Sequence, residues 1–495
     1  MSGQGASRAT AAAFPHLSVM RAQRLLELGA FRVAPAVAAG AIASSQLARP
    51  ADGLLVFAAF VAASMSLERE RFPVHLMPLA SVVVRAATPL LGAGLALATF
   101  ALAGSQHPPA SMALPVLGAF VVMPLAAWVT WRFQSGRRVR IAVIGSEEIA
   151  CGLDEELRAM GIRTYEVIGW ICHEPVFAQE PDGGPRRLGS LDQIREIVGN
   201  GEVDLLVHSA TTPPNGEEAG PHPSRLEIFE RVAAQCLDLP VRLIEASQLY
   251  EDLLGHVPLG QSNSAWFQYL MHPRYRATSP ISKRAFDLVV GTAMSLVLLP
   301  VLAVFALLIK LTDGGPILYR QLRVGEGGRE FSMVKLRSMR VDAESGSAEW
   351  CSAEDDRITG VGKLMRHAHI DELTQLWNVL CGDMTLVGPR PERRELIAEL
   401  EHQLPYYDRR HLVKPGIGGW AQARCGYGGS EEGTGWKLCH DLFYLKHRSV
   451  YFDLLTLIEN VRVSVRSGVQ FEVRAPQEQF ILRQEPAPAP RRLAA

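Results

Sequence analysis

Between Leu288 and Ile309 the chain runs without a charged side chain, a length sufficient for an α-helix to cross the roughly 30 Å hydrocarbon core of a bilayer. Two features oppose a simple crossing. Pro300 sits in the middle of the run, where it deletes a helical hydrogen bond and crowds the preceding turn. Basic residues flank both ends, Lys283 and Arg284 before it and Lys310, Arg320 and Arg323 after it, and such charges resist transfer across a membrane. A helix over 283–311 that enters, bends at Pro300 and returns keeps every one of them on the same face. The expectation is a re-entrant helix that holds the following sequence at the lipid headgroups.

Residues 1–135 add apolar stretches near Phe31–Leu47, Gly53–Leu67, Ala86–Gly104 and Met112–Trp131. They predict a transmembrane bundle of about four helices. Arg69, Arg71 and Arg85 mark an inner loop and Arg132, Arg137, Arg138 and Arg140 the exit, whereas Ser105–Ser111 lacks lysine and arginine and faces outward. An even count leaves both termini in the cytoplasm. Buried helices of a soluble domain are the alternative, opposed by the absence of Asp, Glu, Lys and Arg throughout Ala86–Trp131. Arg8, Arg21 and Arg24 precede apolar sequence without a small-residue cleavage site, so no removed signal peptide is expected.

Over 138–262 the pattern changes to strands near Arg140–Gly145, Val167–Cys172, Val203–Ser209 and Val241–Ile244, alternating with helices near Leu153–Met160, Leu191–Val198 and Leu226–Leu237. This predicts a Rossmann-like parallel α/β domain. The first strand leads into Gly145-Ser146-Glu147-Glu148 rather than a glycine-rich loop, and puts two acids where a pyrophosphate would approach. A regulatory or assembly module is expected, with degenerate ligand binding as the alternative. Thr211–Ser224, rich in proline and glycine, reads as a loop. The net charge of −1 gives no reason to expect nucleic acid, and the seven cysteines are scattered without a C-x-x-C pair. That fits reduced thiols facing the cytoplasm and argues against a zinc cluster.

Chemistry concentrates in Arg366–Glu392, RHAHIDELTQLWNVLCGDMTLVGPRPE. Leu373, Leu376, Trp377 and Leu380 recur at i, i+3, i+4 and i+7, which predicts an amphipathic helix ending near Cys381-Gly382. Asp371 and Glu372 then fall at or just before its first turn, where an acidic pair is usually a cap and a catalytic pair is the alternative. Pro389 and Pro391 stiffen the loop that presents Arg390. A guanidinium so held suits bidentate contact with a phosphate, and a solvated arginine fits the same residues.

These blocks, with Lys283-Arg284-Ala285-Phe286-Asp287, Gly315–Gly325, Phe331–Met339, Val413–Gln422 and Asp441–Lys446, resemble in their order the bacterial sugar transferase family, the polyprenyl-phosphate sugar-1-phosphate transferases of exopolysaccharide biosynthesis. Thr374 and Gly418 depart from it, standing where the family usually has proline and threonine. The resemblance implies a mostly helical catalytic domain over 280–475, with a re-entrant helix broken at a proline. It implies transfer of a sugar 1-phosphate from a UDP-sugar to undecaprenyl phosphate through a phosphosugar-aspartate on Asp371. Glu372 is then assigned to the metal or to acid–base work. Mg²⁺ would bridge the diphosphate to Asp371 or Glu372, with Lys335, Arg337, Arg366 and Arg390 binding substrate phosphate. It implies a multi-pass protein of the bacterial inner membrane, its catalytic domain in the cytoplasm among membrane lipid, with a homodimer and downstream glycosyltransferases as partners.

Several residues leave two readings open. His367 and His369, at i, i+2, would suit a metal only on a strand. Trp420 fits the membrane interface, a nucleotide base or the core. A helix over Tyr451–Arg466 fits the membrane surface or the catalytic core. The tail 484–495 is expected to be disordered. Two other functions bear comparison. A membrane-anchored nucleotide-sugar epimerase needs a Tyr-x-x-x-Lys pair, which the chain lacks; an inert scaffold for polysaccharide assembly predicts a broken acidic pair or a lost arginine, and all are present.

Overall fold

The computed structural model describes residues 34–46, 50–67, 77–102, 112–119, 121–122, 138–172, 185–209, 225–239, 241–259, 280–341, 357–404, 406–425 and 432–465. The expected loops 105–111 and 211–224 and the tail 484–495 lie outside them. Internal contacts divide the chain into two units, Met1–Arg71 with Ser81–Asp252 and Phe72–Ala80 with Leu253–Ala495.

In the first unit, helices α1 (Ala34–Gln46), α2 (Pro50–Leu67) and α3 (Pro78–Leu102) stand on the first three apolar stretches. Arg85, expected in a loop, lies two turns inside α3. The helices share a core in which Ala36, Ala39 and Ala43 meet Val56, Ala59 and Phe60, because alanine lets helix backbones approach closely. The apolar parts of α1 and α3, Pro35–Ser45 and Ala87–Ala101, are shorter than the roughly 20 residues of a typical span.

The same unit holds a parallel sheet of β1 (Val139–Ile144), β2 (Tyr165–Cys172), β3 (Arg186–Ser190), β4 (Leu205–His208) and β5 (Arg242–Glu245), in the order β3-β2-β1-β4-β5. Helices α4 (Glu147–Ala159), α5 (Ile194–Gly199) and α6 (Arg225–Cys236) connect the strands. Ile141, Ala142, Val143 and Ile144 are all fully buried, the mark of a central strand covered on both faces. The edge strand β3, RRLGS, was not anticipated: it is short, carries two arginines and has no alternation to read.

The second unit holds α7 (Pro280–Asp313), among the described residues the one helix long and apolar enough to cross a membrane. Pro300 lies inside α7, which continues past it. Only 6% of its apolar window is buried. Its two halves nevertheless pack on the same unit. Near the start, Lys283 pairs with Asp453 at 2.7 Å and Arg284 donates to the carbonyls of Val379 and Leu380, each at 2.6 Å; near the end, Leu302, Phe305 and Ile309 pack with Leu336 and Met365.

Beyond α7, the antiparallel pair β6 (Leu318–Val324) and β7 (Glu330–Leu336) is followed by α8 (Gly360–His367), the 3₁₀-helix Ile370–Gln375 and α9 (Leu376–Cys381). Gly382, at φ 97°, ends α9 in the left-handed region, the common glycine stop. The short strands β8 (Thr385–Val387) and β9 (Gly416–Gly418) pair in parallel. Helices α10 (Arg394–Gln403), α11 (Trp420–Cys425), α12 (Glu432–His447) and α13 (Val450–Val465) complete the unit. Trp420 is a core residue, 1% exposed, and its Nε1 donates to Gly255 O at 2.6 Å. Phe452, Leu455 and Val463 bury α13 against the core while Leu454 and Val461 remain exposed. Trp377 departs from its expected place on an apolar face: it is 64% exposed, whereas its neighbour Leu376 is buried.

Candidate active site

Asp371 and Glu372 stand in the 3₁₀-helix rather than in a regular first turn. His369 opens it at φ 53°, a left-handed turn that non-glycine residues seldom adopt. Since α8 ends at His367, the two histidines do not share a strand. Beyond the reversal the acidic pair points inward, each member 7% exposed. Thr374 ties this turn to the neighbouring strand, its hydroxyl donating to Val334 O at 3.1 Å. Asn378 secures the other side, accepting from Val334 N at 3.0 Å and donating to Ser332 O at 2.8 Å. With β7 fixed in this way, Lys335 Nζ donates to Glu372 Oε1 at 2.9 Å.

Arg390 meets the same carboxylate from the opposite loop, NH2 at 2.5 Å from Oε1 and NH1 at 3.1 Å from Oε2. This is the forked geometry in which arginine binds carboxylate or phosphate. The loop is fixed by backbone bonds, Gly388 N to Gly418 O and Gly416 N to Pro389 O, both 2.9 Å. A Cβ on Gly416 would lie 2.1 Å from Gly388 N, so the close approach requires glycine. Buried Arg410 donates to the carbonyl of Arg390 at 3.0 Å and pairs with Asp441 at 2.9 Å.

Arg366, in α8, donates from Nε to Ser338 Oγ at 3.0 Å, and its charge acts on Asp371. Arg337 is buried, and its guanidinium packs over Gly315, where a Cβ would stand 2.1 Å from NH1. The structure therefore gathers Lys335, Arg366 and Arg390 around Asp371 and Glu372 and sets Arg337 beside the turn that follows α7. Asp287, Thr385 and Arg410, which sequence reasoning did not single out, support the loop from behind.

Environment separates the two carboxyls. Burial pushes Glu372 upward, but Arg390 and Lys335 outweigh it and hold the group well below the usual carboxylate range. Burial and the charge of Glu372 raise Asp371, with Lys335 and Arg366 pulling against them. Adjacent acids driven apart in this manner take different roles. In this structure Glu372 carries the charge that Lys335 and Arg390 neutralise, while Asp371 accepts from neither of them.

Among the described residues no three His, Cys, Asp or Glu side chains converge on a possible metal position. Magnesium does not need such a cage, because it is commonly held by one or two carboxylates together with substrate phosphates. Asp371 fits that demand. Glu372 fits it only as Lys335 or Arg390 transfers to the substrate, since both its oxygens accept from those cations.

Residues 278–467 match the profile of the bacterial sugar transferase family. The chain is 36% identical over 237 residues to a UDP-N-acetylgalactosamine-undecaprenyl-phosphate N-acetylgalactosaminephosphotransferase of Aeromonas hydrophila, a match covering 47% of this chain and 55% of that protein. It is 36% identical over 224 residues to a UDP-glucose:undecaprenyl-phosphate glucose-1-phosphate transferase of Caulobacter vibrioides, covering 44% and 84%. It is 36% identical over 198 residues to the exopolysaccharide production protein PSS of Rhizobium leguminosarum bv. phaseoli, covering 39% and 98%. The chain thus spans about half the length of the Aeromonas protein.

Proposed function

Because the chain belongs to the bacterial sugar transferase family, we propose that it is a phosphoglycosyl transferase that moves a hexose 1-phosphate from a UDP-sugar to undecaprenyl phosphate and releases UMP. An Asp371 oxygen attacks the sugar-bearing phosphorus, and the bond to the bridging oxygen breaks, with its electron pair leaving on UMP. An oxygen of the lipid phosphate then attacks the same phosphorus, the aspartyl–phosphorus bond breaks, and the carboxylate is restored. Dividing the transfer between two steps separates the meeting of two anions. Lys335, Arg366 and Arg390 supply positive charge where the phosphoryl oxygens gather it. Mg²⁺ held at Asp371 and, once its cations transfer, Glu372 would withdraw further charge from the diphosphate.

The observation that carries this reading is the clamp on Glu372, which stores Lys335 and Arg390 beside Asp371 in the geometry that a phosphate would take. Support for a re-entrant α7 comes from both its halves packing on one unit: a helix crossing the bilayer delivers its ends to opposite faces, roughly 30 Å apart. The catalytic domain then rests on the cytoplasmic face of the bacterial inner membrane, and the helices before residue 135 complete a multi-pass protein. The Aeromonas and Caulobacter relatives are named for different sugars, so a panel of UDP-hexoses is the proper assay. With undecaprenyl phosphate in membranes, one of the panel releases UMP, a phosphosugar adduct forms on Asp371, and Asp371→Asn abolishes both. Transfer that survives this substitution excludes the covalent route.

A further inference from the structure

Asp287 lies in the second full turn of α7 and is buried, yet it acts on a strand about a hundred residues further along the chain. Thr385 Oγ1 approaches its two oxygens at 2.9 and 2.7 Å, and the backbone N–H of Leu386 donates to Oδ1 at 3.1 Å. Lys283, one turn earlier, places its ammonium 3.4 Å from Asp287 and 2.7 Å from Asp453 in α13, and also donates to Val387 O at 3.3 Å. The Tyr444 hydroxyl, from α12, reaches the same carbonyl at 2.7 Å and Asp453 at 2.8 Å. All three residues of β8 are therefore held by the foot of the membrane helix or its partners. The next residues are Gly388, Pro389 and Arg390.

The proline-stiffened loop gives this fixation a purpose. Pro389 and Pro391 remove backbone freedom on either side of Arg390, so the guanidinium position follows from where β8 delivers the chain. We infer that Asp287 is a positioning residue for Arg390: its carboxylate, seated on α7, sets the height of β8 and so the reach of the arginine fork into the phosphate site. The inference rests on the reading of Arg390 as a phosphate ligand and adds to it a residue that touches neither substrate. It ties the anchoring of the membrane helix to the geometry of transfer. A reacting group displaced by about 1 Å can cost around 10²-fold in rate, and a lost Asp287–Thr385 contact permits a shift of that order.

The test is a double-mutant cycle on the full chain in membranes, read as steady-state UMP release with the UDP-sugar and undecaprenyl phosphate. Asp287→Asn is expected to lower kcat by about 10²-fold while leaving KM for the lipid acceptor unchanged, and Arg390→Ala to lower it further. Combined, they should lose no more than Arg390→Ala alone, because a residue acting through the arginine has nothing left to position. Thr385→Val removes only the hydroxyl and should reproduce part of the Asp287→Asn loss, with Thr385→Ser restoring it; this series decides the matter should Asp287→Asn fail to fold. Losses that multiply, or wild-type turnover in Thr385→Val, overturn the inference and leave the phosphate-site reading standing. Wild-type turnover in Arg390→Ala overturns that reading and the inference with it.

Discussion

At the scale of single residues, the site is governed by what each charge faces. His411 shows this outside the acidic pair. Burial first, then the neighbouring charges of Arg410 and Arg394, lower its pKa from 6.5 to about 4, and its buried Nε2 has no hydrogen-bond partner among the described residues. The folded state thus refuses a proton that the unfolded chain accepts. Stability falls as pH drops from the unfolded value towards the folded one, because the unfolded state binds more protons throughout that window. Melting temperatures of the solubilised protein between pH 7 and pH 5 should therefore decline less steeply in His411→Gln than in wild type; parallel slopes would show that this imidazole is not what resists protonation. The residues most legible in the sequence were Asp371, Glu372 and Arg390, which one short stretch carries together. Arg337, which the resemblance implies as a further phosphate ligand, lies one residue beyond β7, where its N–H donates to Ile317 O at 2.9 Å and its guanidinium packs over Gly315.

At the scale of elements, the helix expected over the acidic stretch exists but is divided. The left-handed His369 and the 3₁₀ turn rotate Asp371 and Glu372 inward, while Trp377 faces out; periodicity alone cannot register such a change of pitch. Pairing between distant segments was equally silent. Nothing local in Thr385-Leu386-Val387 announces that Asp287 will receive its hydroxyl and amide, and nothing in Gly416-Ile417-Gly418 announces a partner strand. The apolar helix was plain from its length, and its course is open to direct measurement. Cysteines introduced at the exposed positions Ile281 and Leu311, near its two ends, should both react with an impermeant reagent added from the cytoplasmic face. Protection of one and labelling of the other from outside would make α7 a full crossing.

At the scale of the whole molecule, the chemistry belongs to the second unit, and that unit starts earlier than the family match. Gly255 accepts from buried Trp420, Val257 N donates to Cys439 O at 3.1 Å, and the rings of His256 and Trp436 lie 4.4 Å apart in edge contact. The matched region begins at residue 278. A chain truncated to begin at 253 should retain transfer and melt several degrees above one beginning at 278, which loses this packing; equal melting temperatures would make the segment dispensable. The sequence showed an α/β domain ending nearby but not this staple, because a short piece without periodicity carries no sign of what it will touch.

The exposed flank of α7, with Val289, Leu296, Val297 and Leu307 turned outward, has a practical corollary. Away from a bilayer or micelle, two copies would hide that flank against one another simply to escape water. Assemblies counted in plain buffer would then report a missing solvent, and stoichiometry is better measured in nanodiscs.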